Sequence, residues 1–283
     1  MALAHNLGFP RINRDRELRA RHWQMQKDAG IELLPVGDSA WYDQVPPHSL
    51  STDDQQFAQH WEQLFEEVKE AKALGHAVKP VVIGPLTYLW LGKKSGSGLD
   101  ELELLERLLP LYDQALNRLA GLGVEWVQID EPILAQELPQ DWKNAYERVY
   151  NILQRAPLKK LIAIYSGGLE GNLGVAANLP VDGLHIDLVQ APDQYPTILD
   201  RLPAYKVLSL GLVDGNNASS CDLEKTLDLL RDAHDRLGER LWVAASCSLL
   251  HSPVDQAVQK CQEVALLASA INQAAAYELR ATA

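Results

Sequence analysis

Short runs rich in Val, Ile and Leu alternate along the chain with longer stretches in which apolar residues recur every three or four positions. The runs predict strands at Asn6–Pro10, Ile31–Val36, Val78–Ile83, Glu125–Ile129, Lys160–Tyr165, Gly183–Val189, Val207–Val213 and Leu241–Ser246. Between them, helical periodicity predicts helices near 14–28, 53–74, 99–121, 139–155, 171–178, 193–201, 222–237 and 254–277, with Gly or Pro at many junctions. A half-exposed antiparallel strand would alternate apolar and polar residues. These runs are continuously apolar, so the strands should be parallel and buried on both faces. Eight strands alternating with eight helices predict an α/β chain folded as a single (β/α)8 TIM barrel over residues 1–283. The rival open, doubly wound sheet lacks support, because no Gly-rich fingerprint follows a strand and no composition break divides the chain.

In a barrel of this kind functional groups collect at the C-terminal ends of the strands. The predicted ends carry Arg11, Asp38 with Trp41 and Tyr42, Pro85 with Tyr88, Asp130 with Glu131, Tyr165 with Ser166, Asp187, Asp214, and Cys247 with His251. The segment VEWVQIDEPIL at 124–134 stands out, since an apolar run leads straight into two adjacent carboxylates and a proline. Asp130 and Glu131 read either as a metal-binding or acid/base pair, or as structural acids bonded to amides, Arg or Tyr at the barrel mouth. Neighbouring residues of a strand point to opposite faces, so only one of the two can face the barrel axis unless the strand has ended.

Composition narrows the function classes. A formal net charge of -12 and a pI near 5.1 oppose nucleic-acid or membrane-surface partners, both polyanionic. The N-terminus MALAHNLGFPR lacks the features of a secretory signal, and no stretch approaches the roughly 18 apolar residues of a membrane span, so a cytoplasmic location is expected. Cys221, Cys247 and Cys261 are odd in number and widely spaced, which suits reduced thiols. Against the acidic background, RINRDRELRAR places Arg11, Arg14, Arg16, Arg19 and Arg21 close together. Arginine forks suit carboxylates, so the run reads as a site for a polycarboxylate or as a solvated helix face. Cys247 and His251 invite a nucleophile reading, with a buried inert thiol as the alternative. Trp41, Tyr42 and Tyr88 could stack on a flat ring or simply pack, and His185 within GLHIDLV reads as a core histidine.

Longer blocks carry a resemblance. GFPR at 8–11, RELRARHWQMQKDAGIELLPVGD at 16–38, VKPVVIGPLTYLWLGK at 78–93, GVEWVQIDEPIL at 123–134, GLHIDLV at 183–189 and WVAASCSLLHSPVD at 242–255 resemble the N-terminal half of cobalamin-independent methionine synthase. The resemblance implies the noncatalytic barrel of a two-barrel family that transfers a methyl group from 5-methyltetrahydropteroyl-polyglutamate to homocysteine. It also implies that Arg16, Glu17, Leu18 and Arg19 match a stretch that contacts the polyglutamate tail, with Asp130 and Glu131 as further substrate-binding candidates.

Two departures limit what carries over. The family's zinc, which binds homocysteine as a thiolate, sits in the other barrel on a His-x-Cys pair after the fifth strand, a Glu after the sixth and a Cys after the eighth. Here the fifth strand ends IAIYSGGLEG, and only Asp187 and Cys247 stand at the later positions. No catalytic residue, metal ligand or cofactor is therefore assigned, and no zinc is expected. The chain is also shortened between GFPR and RELRARHW, after WYDQV, and after SPVD, where mouth loops would lie. The resulting expectation is a folate-polyglutamate-contacting barrel that is not catalytic alone, with a separate catalytic barrel as an unidentified partner. The alternatives are a ligand-free structural or engineered minimal scaffold, and an independent enzyme resembling uroporphyrinogen decarboxylase.

Overall fold

The structure is a computed structural model that describes residues 1–10, 15–38, 54–92 and 101–281. Arg11, Arg14, Trp41 and Tyr42 lie outside the described residues. Eight strands form one sheet: β1 (Leu3–Ala4), β2 (Leu34–Val36), β3 (Val78–Ile83), β4 (Trp126–Asp130), β5 (Lys159–Ala163), β6 (Gly183–Asp187), β7 (Val207–Val213) and β8 (Leu241–Ala245). Every paired junction is parallel, in the order β1-β8-β7-β6-β5-β4-β3-β2. The two edges meet through one further parallel bridge, His5 to Leu33, and the Glu32 N–H donates to Ala4 O at 2.9 Å. The curled sheet is that of the expected TIM barrel.

Helices surround it: α1 (Arg16–Asp28), α2 (Asp54–Ala73), α3 (Pro85–Gly92), α4 (Leu105–Gly121), α5 (Gln140–Leu153), α6 (Leu173–Asn178), α7 (Tyr195–Arg201), α8 (Leu223–Leu237) and α9 (Val254–Ala281). Two elements differ from the sequence expectation. The first strand lies at Leu3–Ala4, paired with Trp242 and Val243, and residues 6–10 run on past the ladder to the mouth. There the Leu249 N–H donates to Gly8 O at 3.1 Å. Helix α3 escapes the periodicity because six of its residues, Pro85 to Leu89 and Gly92, are buried, which leaves no polar stripe to read.

Alternation along the strands sorts the interior into layers. Trp126, Leu161 and Trp242 pack together, with Leu3, Leu33 and Val207 against them. Leu7, Ala163, Ala244 and Tyr165 form a second cluster. Between the two lie polar groups, His5, Lys79, Gln128, His185 and Ser209, each at or near zero exposure. Most of the apolar core sits outside this ring, between strands and helices.

Candidate functional site

Helix α1 starts on the mouth side of the barrel. Asp15 caps it, its carboxylate accepting the N–H groups of Glu17 at 2.9 Å and Leu18 at 3.1 Å. That cap fixes the first turn, where Arg16 and Arg19 lie one turn apart and reach the same acid of α2. Arg19 Nη2 donates to Glu70 Oε2 at 2.8 Å and is 15% exposed, whereas Arg16 Nε lies 3.3 Å from Glu70 Oε1 with 77% of its side chain exposed. Glu17 is exposed and Leu18 half-buried. Arg19 is thus committed to the protein, and Arg16 is open to solvent.

Strand β4 ends at Asp130, but its hydrogen bonding to the neighbouring strand runs one residue further, to Glu131. Gly84 N–H donates to Asp130 O at 2.8 Å and Glu131 N–H donates to Ala163 O at 3.0 Å, so the ladder continues and the two side chains leave on opposite faces. Asp130 turns inward. Its Oδ1 accepts Gln128 Nε2 at 2.7 Å and its Oδ2 accepts the Tyr165 hydroxyl at 3.0 Å. Gln128 also donates to Leu7 O and accepts from Lys79 Nζ, which donates in addition to Asn6 O at 3.1 Å. Burial pulls the Lys79 ammonium down to about 7 against the attraction of Asp130 and Asp38. Ser209 Oγ joins His5 Nε2 at 2.6 Å to His185 Nδ1 at 2.8 Å, and burial lowers His185 to about 3, keeping it neutral.

Glu131 turns outward into the layer between β4, α3 and α5. It accepts the Thr87 N–H at 2.9 Å, the Thr87 hydroxyl at 2.6 Å, and the hydroxyls of Tyr150 at 2.8 Å and Tyr146 at 3.1 Å. Gly84 makes room for it, since a Cβ there would stand 2.0 Å from the Glu131 carboxyl. Burial raises the acid to about 7, with the four donors pulling the other way. The sequence brings together two carboxylates that the fold then separates by the thickness of a strand.

Opposite, at the ends of β6 and β8, Asp187 is fully buried. Its Oδ1 accepts the N–H groups of Val189 and Gln190, both at 3.0 Å. Cys247 is 6% exposed, and burial pushes its thiol up to about 11. His251 is exposed. Tyr165 and Ser166 close the fifth strand, Ser166 in the left-handed region at φ 66°. Among the described residues no three His, Cys, Asp or Glu side chains converge as a metal site requires. One thiol and one carboxylate, with no His or further Cys beside them, do not make the donor set that a tetrahedral zinc needs.

The family described as "Cobalamin-independent synthase, N-terminal domain" matches residues 48–238, more than half of the chain. The chain belongs to this family. Among solved structures, a B12-independent methionine synthase from Shewanella sp. W3-18-1 superposes with TM-score 0.74 at 13% identity, over 97% of this chain and 98% of that one. A putative vitamin-B12 independent methionine synthase from Listeria monocytogenes gives TM-score 0.66 at 14% identity, over 96% and 99%. A methyltransferase from Methanosarcina mazei gives 0.69 at 12%, over 96% and 94%. At such identities these matches show the barrel fold alone and leave the chemistry of the site to its residues.

Proposed function

We propose that this member of the cobalamin-independent synthase family contacts the polyglutamate tail of a methyltetrahydropteroyl ligand and does not transfer the methyl group on its own. The observation that carries this reading is Arg16: a guanidinium 77% exposed on the mouth-side end of α1. The partial positive charge of the helix N-terminus adds to it. Arg19 supports it by holding Glu70, and so orients the acid against which Arg16 rests. Asp130 and Glu131 serve the frame, since their oxygens are occupied by Gln128 and Tyr165 on one face and by Thr87, Tyr146 and Tyr150 on the other. Zinc chemistry enters no step, because Tyr165, Ser166, Asp187 and Cys247 offer one thiol and one carboxylate where the ion needs more such donors.

The test is calorimetric titration with 5-methyltetrahydropteroyl-triglutamate and its monoglutamate, before and after Arg16→Ala. Triglutamate binding should weaken several-fold in the variant and with added salt, while monoglutamate binding stays the same. A variant that binds both ligands as the parent does would remove Arg16 from the reading, and a parent that binds neither at millimolar concentration would favour a ligand-free scaffold.

A further inference from the structure

A cavity of about 450 Å³ opens at the end of the barrel opposite the mouth. Its walls come from the segments that enter β4 to β7, through Glu125, Lys159, Asp182 and Tyr205, and from Gln154 and Pro180 just beyond α5 and α6. A second cleft, of about 380 Å³, shares Pro180 with it and runs between α5 and α6. All their lining residues lie within the described segments. Tyr205 is 63% exposed at the cavity wall. The buried Lys206 ammonium lies 5.9 Å over its ring, held by Ala177 O at 2.7 Å and by Leu179 O. The protein thus backs one side of the ring, and its exposed surface is a platform for a ligand.

We propose that the two clefts form one saccharide-binding groove, with Tyr205 as the platform for a neutral sugar ring and the carboxamides of α5 and α6 engaging the next ring. The charged groups of the cavity are already matched, which sets the class of ligand. Lys159 Nζ pairs with Glu125 Oε1 at 3.0 Å, and Lys160 Nζ donates to Ala156 O at 2.9 Å and Leu158 O at 2.8 Å. Asp182 Oδ2 accepts the Lys160 N–H at 2.9 Å, and its charge attracts the Lys160 and Lys206 ammonium groups. A phosphate or carboxylate would have to take a lysine from its partners, and an organic cation would compete with two ammonium groups for Asp182. A neutral polyol disturbs none of these contacts. Its hydroxyls can donate to the spare lone pairs of Asp182 and Glu125 and accept from Lys159, while the C–H face of a pyranose packs on the Tyr205 ring. The second cleft continues the same chemistry with Gln140, Asn144 and Asn151 from α5 and Asn178 from α6. Gln140 Nε2 donates to Asn144 Oδ1 and Asn178 Nδ2 to Gly174 O, both at 2.9 Å, which orients these amides and leaves further donors and acceptors on each. Groups that both donate and accept side by side match vicinal hydroxyls.

Saturation-transfer NMR on the whole chain tests this, with maltose, cellobiose and sucrose as probes and glucose 6-phosphate as the charged control. At millimolar concentration at least one of the neutral disaccharides should take up saturation, concentrated on the C–H groups of one ring and little changed by added salt. Tyr205→Ala should weaken that binding about tenfold, the loss of one stacked face, and Gln154→Ala on the other wall should weaken it as well. Tyr277→Ala, which removes another exposed tyrosine away from the groove, should leave it unchanged. Binding of none of the disaccharides, binding that survives Tyr205→Ala, binding lost equally in Tyr277→Ala, or glucose 6-phosphate bound as tightly as the best of them would overturn the proposal.

Discussion

The two faces of β4 bury one acid each, and they treat it differently. On the inner face Asp130 shares its oxygens between an amide and a phenol, with the Lys79 ammonium one residue away through Gln128. On the outer face Glu131 is ringed by three hydroxyls and one amide, with no cation bonded to it among the described residues, and burial raises it to about 7. The first arrangement sets an acid and a basic amine in the same buried layer. The second is suited to a neutral acid, which can both donate and accept among hydroxyls. Adjacent position in the sequence therefore says little about shared chemistry once a strand separates the side chains.

The largest effect should come from the outer face. Glu131→Ala would strand the Thr87, Tyr146 and Tyr150 hydroxyls and open a cavity, at a cost of about 3 kcal/mol or more in urea unfolding. Glu131→Gln keeps the shape and isolates the proton. The acid's pKa is raised by folding from its ordinary 4.5 to about 7, so its contribution is fully present below about pH 4.5 and is lost as pH rises through about 7. The parent should lose stability over that window, and the glutamine variant should lose less. An equal slope in both would assign the pH dependence to other buried groups.

Gly84→Ala comes next, since its Cβ would collide with the Glu131 carboxyl; overpacking of this kind costs about 1–3 kcal/mol. Tyr165→Phe, which removes one donor from Asp130, should cost about 1 kcal/mol, measured in the same way. A loss as large as that of Glu131→Ala would mean that the inner face depends on each of its hydrogen bonds as much as the outer one does. The smallest effect on stability belongs to Arg16→Ala, less than about 1 kcal/mol for an exposed pair. Thermal unfolding should hardly register it.

Val78–Ile83 and Val207–Val213 were legible in the sequence because each is an unbroken apolar run bounded by turn residues. β1 was not, because a strand of two residues carries no period, and the more apolar Leu7–Phe9 beside it drew the prediction towards the mouth. The interior polar layer was hidden for a related reason. Lys79 inside VKPVVI and Gln128 inside VQID look like interruptions of a core strand, and only their period-two spacing with Val81 and Asp130 marks an inward row. The opposed directions of Asp130 and Glu131 followed from alternation alone. Their partners did not: Tyr146 and Tyr150 lie one helical turn apart on α5, fifteen and nineteen residues downstream of Glu131, and only the packing of α5 on β4 brings them to it.

The central claim is that the barrel recognises a ligand by its string of carboxylates. Its most direct test is the ratio of the affinities of the unmodified protein for 5-methyltetrahydropteroyl-triglutamate and for the monoglutamate, measured by calorimetry at low and at moderate salt. The account predicts a ratio well above one that collapses towards one as salt screens Arg16. Equal affinities at both salt concentrations, or no binding of either ligand, would contradict it.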